Sequence, residues 1–168
     1  LCIPFLEQAN LVKKTQEGII VTETNETLPK ETLEKIVVLY QDRLKKLSEI
    51  GEFADFFFKN RVAYTPDMLS WKGTDKEETR NALNMLEEII SGISEQDWTK
   101  EKLENVIMPE TEKQKNKQSL SADRGVVLWP LRMALTGKEA SAGPFEIAEI
   151  LGKKRTLEYL KEAKEKLS

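Results

Sequence analysis

Apolar residues recur three and four positions apart through most of this chain, and that spacing places them on one face of an α-helix. One such segment is LPKETLEKIVVLYQDRLKKL, residues 28–47, where Leu33, Ile36 and Tyr40 share a face. Strand-like sequence is limited to GIIVTET at residues 18–24, which also fits an extended connector. The spacing therefore predicts an all-α fold.

Capping residues mark where two of the helices begin and end. Thr74 and Glu77 form a capping-box pattern at the start of TDKEETRNALNMLEEIISG, and Gly92 suits the C′ position at its end. Thr99 is placed to cap the following helix, which Pro109 is expected to end or kink. These signals delimit two successive amphipathic helices.

The connection between those helices, residues 91–97, is the softest boundary in the chain. A chain of 168 residues is long enough for one large domain or two small ones. We therefore expect two helical subdomains in series, residues 1–92 and residues 93–168.

Composition excludes several kinds of chemistry. The chain has no histidine and one cysteine, Cys2, so it can form neither a zinc site of the Cys/His type nor an internal disulfide. Its glycines are scattered singly and form no phosphate-binding loop. We therefore expect no catalytic group, no metal and no cofactor in this chain.

Cellular location is also constrained by composition. A single cysteine fits a reducing cytosol, and the sequence shows neither a signal peptide nor an apolar run long enough to span a membrane. A cytoplasmic protein is therefore expected. Because the chain begins with Leu1 and not with Met, we interpret it as processed or cut from a longer protein.

Charge is distributed unevenly along the chain, whose net charge is −3. Residues 1–112 carry 14 cations and 22 anions, a net charge of −8, whereas residues 113–138 carry six cations and one anion, a net charge of +5. A local basic patch, more than the average charge, governs how a polyanion docks. Four cations of the basic segment are candidates for a phosphate patch, although charge runs are often only solvated surface: Lys113, Lys115, Lys117 and Arg124.

An unusual loop lies within WPLRMALTGKEASAGPFEI, residues 129–147. Gly137 is expected to end one helix and Pro144 to begin the next at its first position, while Pro130 is expected near the first turn of its own helix. The loop ASAGP would then present the backbone N–H groups of a helix start, which suit a phosphate or a base edge. Small side chains would admit a flat base, on which Phe145 could stack. An ordinary helix–helix corner is the alternative.

Several segments resemble a known family. VLWPLRMALTG, ASAGPFEI and LGKKRTLEYL closely resemble the C-terminal anticodon-binding region of bacterial glutamyl-tRNA synthetases, which are class I enzymes. LCIPFLEQANLV, LYQDRLKKLSEIGEFADFFF and DMLSWKG resemble it more loosely. The resemblance implies an all-α anticodon-binding module whose partners are glutamate tRNA and the catalytic domain of a parent chain. That absent domain would use ATP and Mg²⁺ to attach glutamate to the tRNA, and the protein is expected to be a monomer.

The resemblance also implies which residues meet the tRNA anticodon. Arg132 would contact an anticodon phosphate or base, with a salt bridge to a nearby carboxylate as the alternative. The following residues would line a base pocket: Ser141, Ala142, Gly143, Pro144 and Phe145. Ala142 stands where the family often has proline, which puts the rigidity of this position in doubt.

Arg43 matches an arginine that reads the last anticodon base in some members of the family. A guanidinium has only donors, so it suits the acceptors O2 and N3 of cytosine, but it also suits O6 and N7 of guanine. Discrimination by Arg43 or by pocket size therefore stays open. The alternative is that Arg43 solvates its helix together with Lys45 and Lys46.

Two further functions fit parts of the sequence. The acidic residues 1–112 could form a helical protein-interaction module that does not bind RNA. An enzyme of carboxylate chemistry is less well supported, because no pair of carboxylates stands out from the many acidic residues.

Trp71 and Trp98 are interpreted as core or hinge anchors.

Overall fold

The computed structural model describes residues 1–116 and 123–168, with side chains described for residues 1–113 and 123–168. These residues form two compact units, Leu1–Val62 and Ala63–Ser168. Helices dominate both units, which confirms the predicted fold class. In the part of the chain so described, no helix combines the length and the apolar character that crossing a membrane requires.

The first unit combines short helices with a small sheet. Its helices are α1 (Ile3–Gln8), α2 (Lys30–Tyr40) and α3 (Ile50–Phe53), with 3₁₀ turns at Leu47–Glu49 and Asp55–Phe58. Its antiparallel sheet has the order β1 (Val12–Thr15), β2 (Gly18–Val21) and β3 (Thr27–Leu28).

The sheet is the main departure from the all-helical expectation. β2 lies within the strand-like run of the sequence, but β1 was not predicted. Only Val12 of β1 is buried, and the other three residues, which include two lysines, are exposed. The strand therefore lacks the alternation of apolar and polar residues by which a half-buried strand is recognised in a sequence. The pairing of Val12 with Val21 is a tertiary feature that the sequence of β1 alone does not reveal.

Helix α2 ends earlier than predicted. The backbone N–H groups of Arg43 and Leu44 both donate to the carbonyl oxygen of Tyr40, at 2.8 and 3.1 Å, in a turn that closes the helix. Tyr40 itself is fully buried, whereas Leu47 is 43% exposed. Leu47 continues the apolar spacing in the sequence but does not face the core, so the spacing beyond Tyr40 was a poor guide to the end of the helix.

The second unit is a bundle of helices. It contains a 3₁₀ turn at Pro66–Leu69 and the helices α4 (Lys76–Ser91), α5 (Lys100–Asn116), α6 (Gly125–Thr136), α7 (Pro144–Leu151) and α8 (Lys153–Lys166). Helix α4 packs against α6 and α8, and α5 packs against α7. The core is built from side chains that each helix directs inward, among them Leu83, Leu86, Leu103, Ile107, Leu131 and Leu160.

The compact units divide after Val62, whereas the sequence analysis placed a subdomain boundary after residue 92. Helix α4 lies between these two positions and packs within the second unit. Residues 92–99 therefore connect two helices of one unit. The apolar stripe of α4 shows that the helix has a buried face, but it does not show which helices cover that face.

Helix boundaries followed the predicted caps in part. Thr99 caps α5, since its hydroxyl accepts from the backbone N–H of Lys102 at 3.2 Å. The N-cap of α4 is Asp75, which accepts from Glu78 N–H at 2.8 Å, so the predicted Thr74 cap is wrong by one residue. The Thr74 hydroxyl instead donates to the carbonyl oxygen of Trp71.

Glycine and proline positions also had mixed outcomes. Gly137 ends α6 in the left-handed conformation with φ +65°, and Pro144 begins α7, as predicted. Gly92 has a right-handed φ of −75°, so it does not act as a left-handed stop. Pro109 lies inside α5, which runs on to Asn116, and the expectation that Pro130 lies near the first turn is wrong because α6 already begins at Gly125.

Candidate nucleic-acid interface

The α6–α7 loop, defined here as residues 137–143, is held at its start by Thr136. The Thr136 hydroxyl donates to the carbonyl oxygen of Arg132 at 2.8 Å and accepts from the Lys138 N–H at 3.0 Å. Gly137 adopts the left-handed conformation between these contacts. The chain therefore leaves α6 in one defined direction.

Arg132 holds the middle of the same loop. Its Nη1 atom donates to the carbonyl oxygen of Ser141 at 3.1 Å and lies 3.3 Å from the Ser141 hydroxyl. The Ser141 hydroxyl in turn donates to the carbonyl oxygen of Ala142 at 2.9 Å. Arg132 and Ser141 are both half-buried, so the fold brings together two predicted site residues at a partly accessible position.

Glu146 holds the end of the loop. Its Oε2 atom accepts from the Gly143 N–H at 3.0 Å, and its Oε1 atom pairs with Lys100 Nζ at 2.9 Å. The sequence analysis expected the N–H groups at this helix start to be open to a ligand, but the Gly143 donor already has a protein partner. A glutamate two residues after Pro144 was the signal for this capping interaction, and the sequence analysis did not use it.

Burial divides the five residues that were predicted to line a base pocket. Ser141 and Gly143 are half-buried, whereas Ala142, Pro144 and Phe145 are buried, and Phe145 is only 8% exposed. The ring of Phe145 therefore packs within the second unit and offers no open face to a base in this conformation. What remains accessible on the loop is its polar edge at Ser141 and Gly143.

The predicted phosphate patch is mixed in charge where it is described. Lys113 pairs with Glu110 at 3.0 Å, and Arg124 pairs with Glu112 at 3.4 Å. All four side chains are partly exposed, so such pairs are weak and screened by salt. Lys117 lies outside the described residues, as does the side chain of Lys115.

A tryptophan clamp positions the first turn of α6. The Trp71 indole N–H donates to Asp123 Oδ2 at 2.8 Å, and Asp123 Oδ1 accepts from the Gly125 N–H at 2.8 Å. The Trp71 and Trp129 rings lie 5.1 Å apart, and the Trp129 indole donates to Met68 O at 2.8 Å. The sequence analysis did not predict this clamp, because Trp71 and Asp123 are 52 residues apart in the sequence. It holds the residues on both sides of Arg124.

Arg43 lies in the first unit, in the exposed turn that follows α2. Its backbone N–H bonds to the buried Tyr40, which fixes the start of this turn. The other predicted site residues that the structure describes belong to the second unit. Arg43 is thus the candidate contact that the first unit contributes.

Comparisons with known proteins agree with the fold. A family model described as an anticodon binding domain matches residues 2–164. A glutamate–tRNA ligase of Clostridium botulinum (strain Hall) is 39% identical over 135 residues, which are 79% of this chain and 26% of that protein. A glutamate–tRNA ligase of Clostridium acetobutylicum is 36% identical over 138 residues, which are 80% of this chain and 27% of that protein.

A solved structure is similar over almost the whole chain. The crystal structure of a glutamate tRNA ligase from Elizabethkingia meningosepticum superposes with a TM-score of 0.68 at 21% sequence identity, covering 99% of this chain and 28% of that one. At this identity the likeness establishes the fold alone. The chain spans about a quarter of the length of the curated relatives that it matches.

Proposed function

Because this chain belongs to the anticodon-binding domain family, we propose that it binds the anticodon loop of glutamate tRNA on behalf of a glutamate–tRNA ligase. The family match over residues 2–164 carries this proposal. The similarity to glutamate–tRNA ligases at 39% identity supports the choice of tRNA.

The α6–α7 loop would read the RNA through its polar edge. Arg132 and Ser141 offer a guanidinium and a hydroxyl at a partly accessible place, and both are already held by hydrogen bonds. A loop that is ordered before binding loses little conformational freedom on binding, which favours affinity and selectivity. Ala142, Pro144 and Phe145 would form the packed floor beneath this edge.

Phosphate contacts and base contacts would divide the work. Single-stranded RNA loops are recognised through base edges, while cations bound to phosphates set the position of the strand. Arg132 would meet an anticodon phosphate or base, and Arg43 would meet the last anticodon base. Basic side chains of residues 113–124, including Arg124 and Lys113, would contribute phosphate contacts that salt weakens.

The chemistry of the ligase would belong to a separate catalytic domain. That domain would bind ATP and Mg²⁺ and attach glutamate to the tRNA, while this chain holds the tRNA in register. We extend the proposal to a monomeric protein in the cytoplasm, where its tRNA partner occurs.

Titration of the 168-residue chain with tRNA tests the function. The RNAs are glutamate tRNA and the same tRNA with its three anticodon bases replaced, measured by fluorescence anisotropy at several salt concentrations. We expect salt-dependent binding that is about tenfold weaker for the substituted anticodon, a difference of ~1.4 kcal/mol. Equal affinity for both RNAs would contradict anticodon reading, and absence of binding would favour the acidic protein-interaction module.

A further inference from the structure

One carboxylate connects helix α5 with the α6–α7 loop. Lys100 is the first residue of α5, and its Nζ atom lies 2.9 Å from Glu146 Oε1. Gly143 is the N-cap of α7, and its N–H donates to Glu146 Oε2 at 3.0 Å. The two oxygens of Glu146 thus serve two different segments of the second unit.

Gly143 leaves the space that this carboxylate occupies. A Cβ atom at residue 143 would lie 2.7 Å from Glu146 Oε2 and 3.4 Å from the carboxyl carbon. The first distance is far shorter than an ordinary van der Waals contact. Any larger residue would therefore push the carboxylate away from the N–H group that it caps, so glycine and glutamate at these two positions depend on each other.

The peptide between Ala142 and Gly143 passes this constraint on to the rest of the loop. A trans peptide is planar, so fixing the direction of the Gly143 N–H also fixes the opposite direction of the Ala142 carbonyl. That carbonyl accepts from the Ser141 hydroxyl at 2.9 Å. The same hydroxyl lies 3.3 Å from Arg132 Nη1. A continuous chain of polar contacts therefore runs from Lys100 to Arg132.

Local charge stabilises the Glu146 carboxylate in this series of polar contacts. Glu146 lies in the first turn of α7, where the partly positive helix end attracts an anion. Its hydrogen bond to Lys100, together with their mutual attraction, raises the pKa of the Lys100 ammonium above its ordinary value. Lys100 therefore stays positively charged throughout the neutral range and remains a partner for Glu146.

We propose that Glu146 is a positioning residue for RNA recognition, which sets the Ala142–Gly143 peptide and thereby the orientation of the Ser141 hydroxyl and the Arg132 guanidinium. Lys100 holds the Glu146 carboxylate from α5. The proposal rests on the proposed function, because it assumes that the α6–α7 loop reads the anticodon. It assigns roles to Glu146 and Lys100, neither of which would touch the RNA.

Anticodon discrimination is the readout that separates positioning from simple stability. We define the discrimination ratio as the Kd for glutamate tRNA with a replaced anticodon divided by the Kd for unaltered glutamate tRNA. Glu146→Ala should lower this ratio about fivefold to tenfold. Lys100→Met should lower the discrimination ratio by a smaller factor than Glu146→Ala does. Lys100→Arg should keep the ratio close to that of the unaltered chain. The melting temperature of each variant shows whether the chain still folds.

Matched controls lie on the same two helices. Lys102→Met removes an exposed cation of α5 two residues after Lys100, and Glu149→Gln removes a half-buried carboxylate of α7. Both should leave the discrimination ratio unchanged, although Lys102→Met can lower affinity for both RNAs equally. Glu146→Met keeps the length of the side chain without an acceptor oxygen and provides a second variant if Glu146→Ala does not fold.

The outcomes distinguish the two proposals. A folded Glu146→Met or Glu146→Ala chain with an unchanged ratio would overturn the positioning role and leave the proposed function standing. If the unaltered chain shows no discrimination, the proposed function fails and the positioning role fails with it. Amide hydrogen exchange of the RNA-free chain adds a direct measurement, since Glu146→Ala and Glu146→Met, which remove the acceptor oxygen, should speed exchange at Gly143, and an unchanged rate would contradict the contact itself.

Discussion

Arg132 Nη1 lies 3.1 Å from the carbonyl oxygen of Ser141, nine residues further along the chain. The guanidinium that we propose for RNA contact is therefore part of the loop structure before any RNA arrives. A guanidinium carries several N–H donors, so one arginine can both anchor the backbone and take part in contact with a ligand. Its replacement should affect the loop and the binding together.

Arg132→Lys separates these two roles. A lysine keeps the positive charge but cannot reproduce the planar set of donors of a guanidinium. We expect the variant to keep most of its affinity for RNA of any sequence and to lose about threefold to tenfold in anticodon discrimination. Competition binding with the two tRNAs measures both. Lys154→Met, which removes an exposed cation of α8, is the control and should lower only the salt-dependent affinity.

Gly125→Ala tests the tryptophan clamp at the start of α6. A Cβ atom at residue 125 would run into the indole ring of Trp71. Overpacking of this kind typically costs ~1–3 kcal/mol, so we expect the free energy of unfolding to fall by about that amount in urea titrations. Gly92→Ala is the control, because the nearest atom to its new Cβ would be the Ile89 carbonyl oxygen at 3.4 Å.

A double-mutant cycle with Trp71→Leu checks the cause of that loss. The smaller leucine side chain should make room for the methyl group that Gly125→Ala introduces, so the two substitutions together should be less destabilising than the sum of their separate effects. Strictly additive effects would mean that the clash with Trp71 is not what destabilises Gly125→Ala.

Lys153 ties the start of α8 to the end of α4. Its Nζ atom donates to the carbonyl oxygens of Ser91 at 2.9 Å and Ile93 at 2.6 Å. Hydrogen bonds from a charged donor contribute more than neutral ones, so Lys153→Met should lower the free energy of unfolding by about 1–2 kcal/mol. The neighbouring Lys154→Met should change the free energy of unfolding by less than about 0.5 kcal/mol, and similar losses for both variants would show that the Lys153 hydrogen bonds do not stabilise the fold.

Tyr64 makes stability depend on alkaline pH. Burial raises the pKa of its phenol, and the nearby Glu162 raises it further. The folded state therefore keeps this proton at a pH where the unfolded chain loses it. Stability that is present below the ordinary tyrosine pKa of about 10 should decline as the pH rises above that value.

Tyr64→Phe isolates this contribution, since phenylalanine keeps the ring under the Lys166 ammonium, which lies 4.0 Å from the ring centroid of Tyr64. Urea unfolding at pH 9 and pH 11 should show a smaller pH-dependent loss for the variant than for the unaltered chain. Equal losses would indicate that other groups cause the alkaline destabilisation.

Helix content and several helix ends were predictable because their causes are local. The left-handed Gly137 and the proline at the first position of α7 act through the conformations of single residues. Pro130 was misplaced because the start of α6 depends on Asp123 and Trp71, which no local pattern near Pro130 reveals. Strand β1 was missed for a related reason. Its residues do not alternate between apolar and polar, and the strand is formed by pairing with β2.

The sequence predicted which residues belong to the candidate site, but it did not predict which of them are exposed. Family resemblance pointed to Arg132 and the residues after it, and the fold does bring Arg132 to Ser141. The expected aromatic platform at Phe145 is buried, and the expected open donor at Gly143 is capped. Exposure and hydrogen-bond partners depend on which other helices pack nearby, and the amino-acid pattern of one loop does not contain that information.

The amino-acid sequence by itself determined that this chain is helical, that it carries no histidine chemistry, and that a glycine and a proline bound the loop before α7. The tertiary structure decided which polar groups of that loop remain available. Lys100 and Glu146 meet across 46 residues, and Trp71 and Asp123 meet across 52. Side-chain periodicity and caps act over a few residues, whereas the choice of a polar partner depends on packing between distant segments.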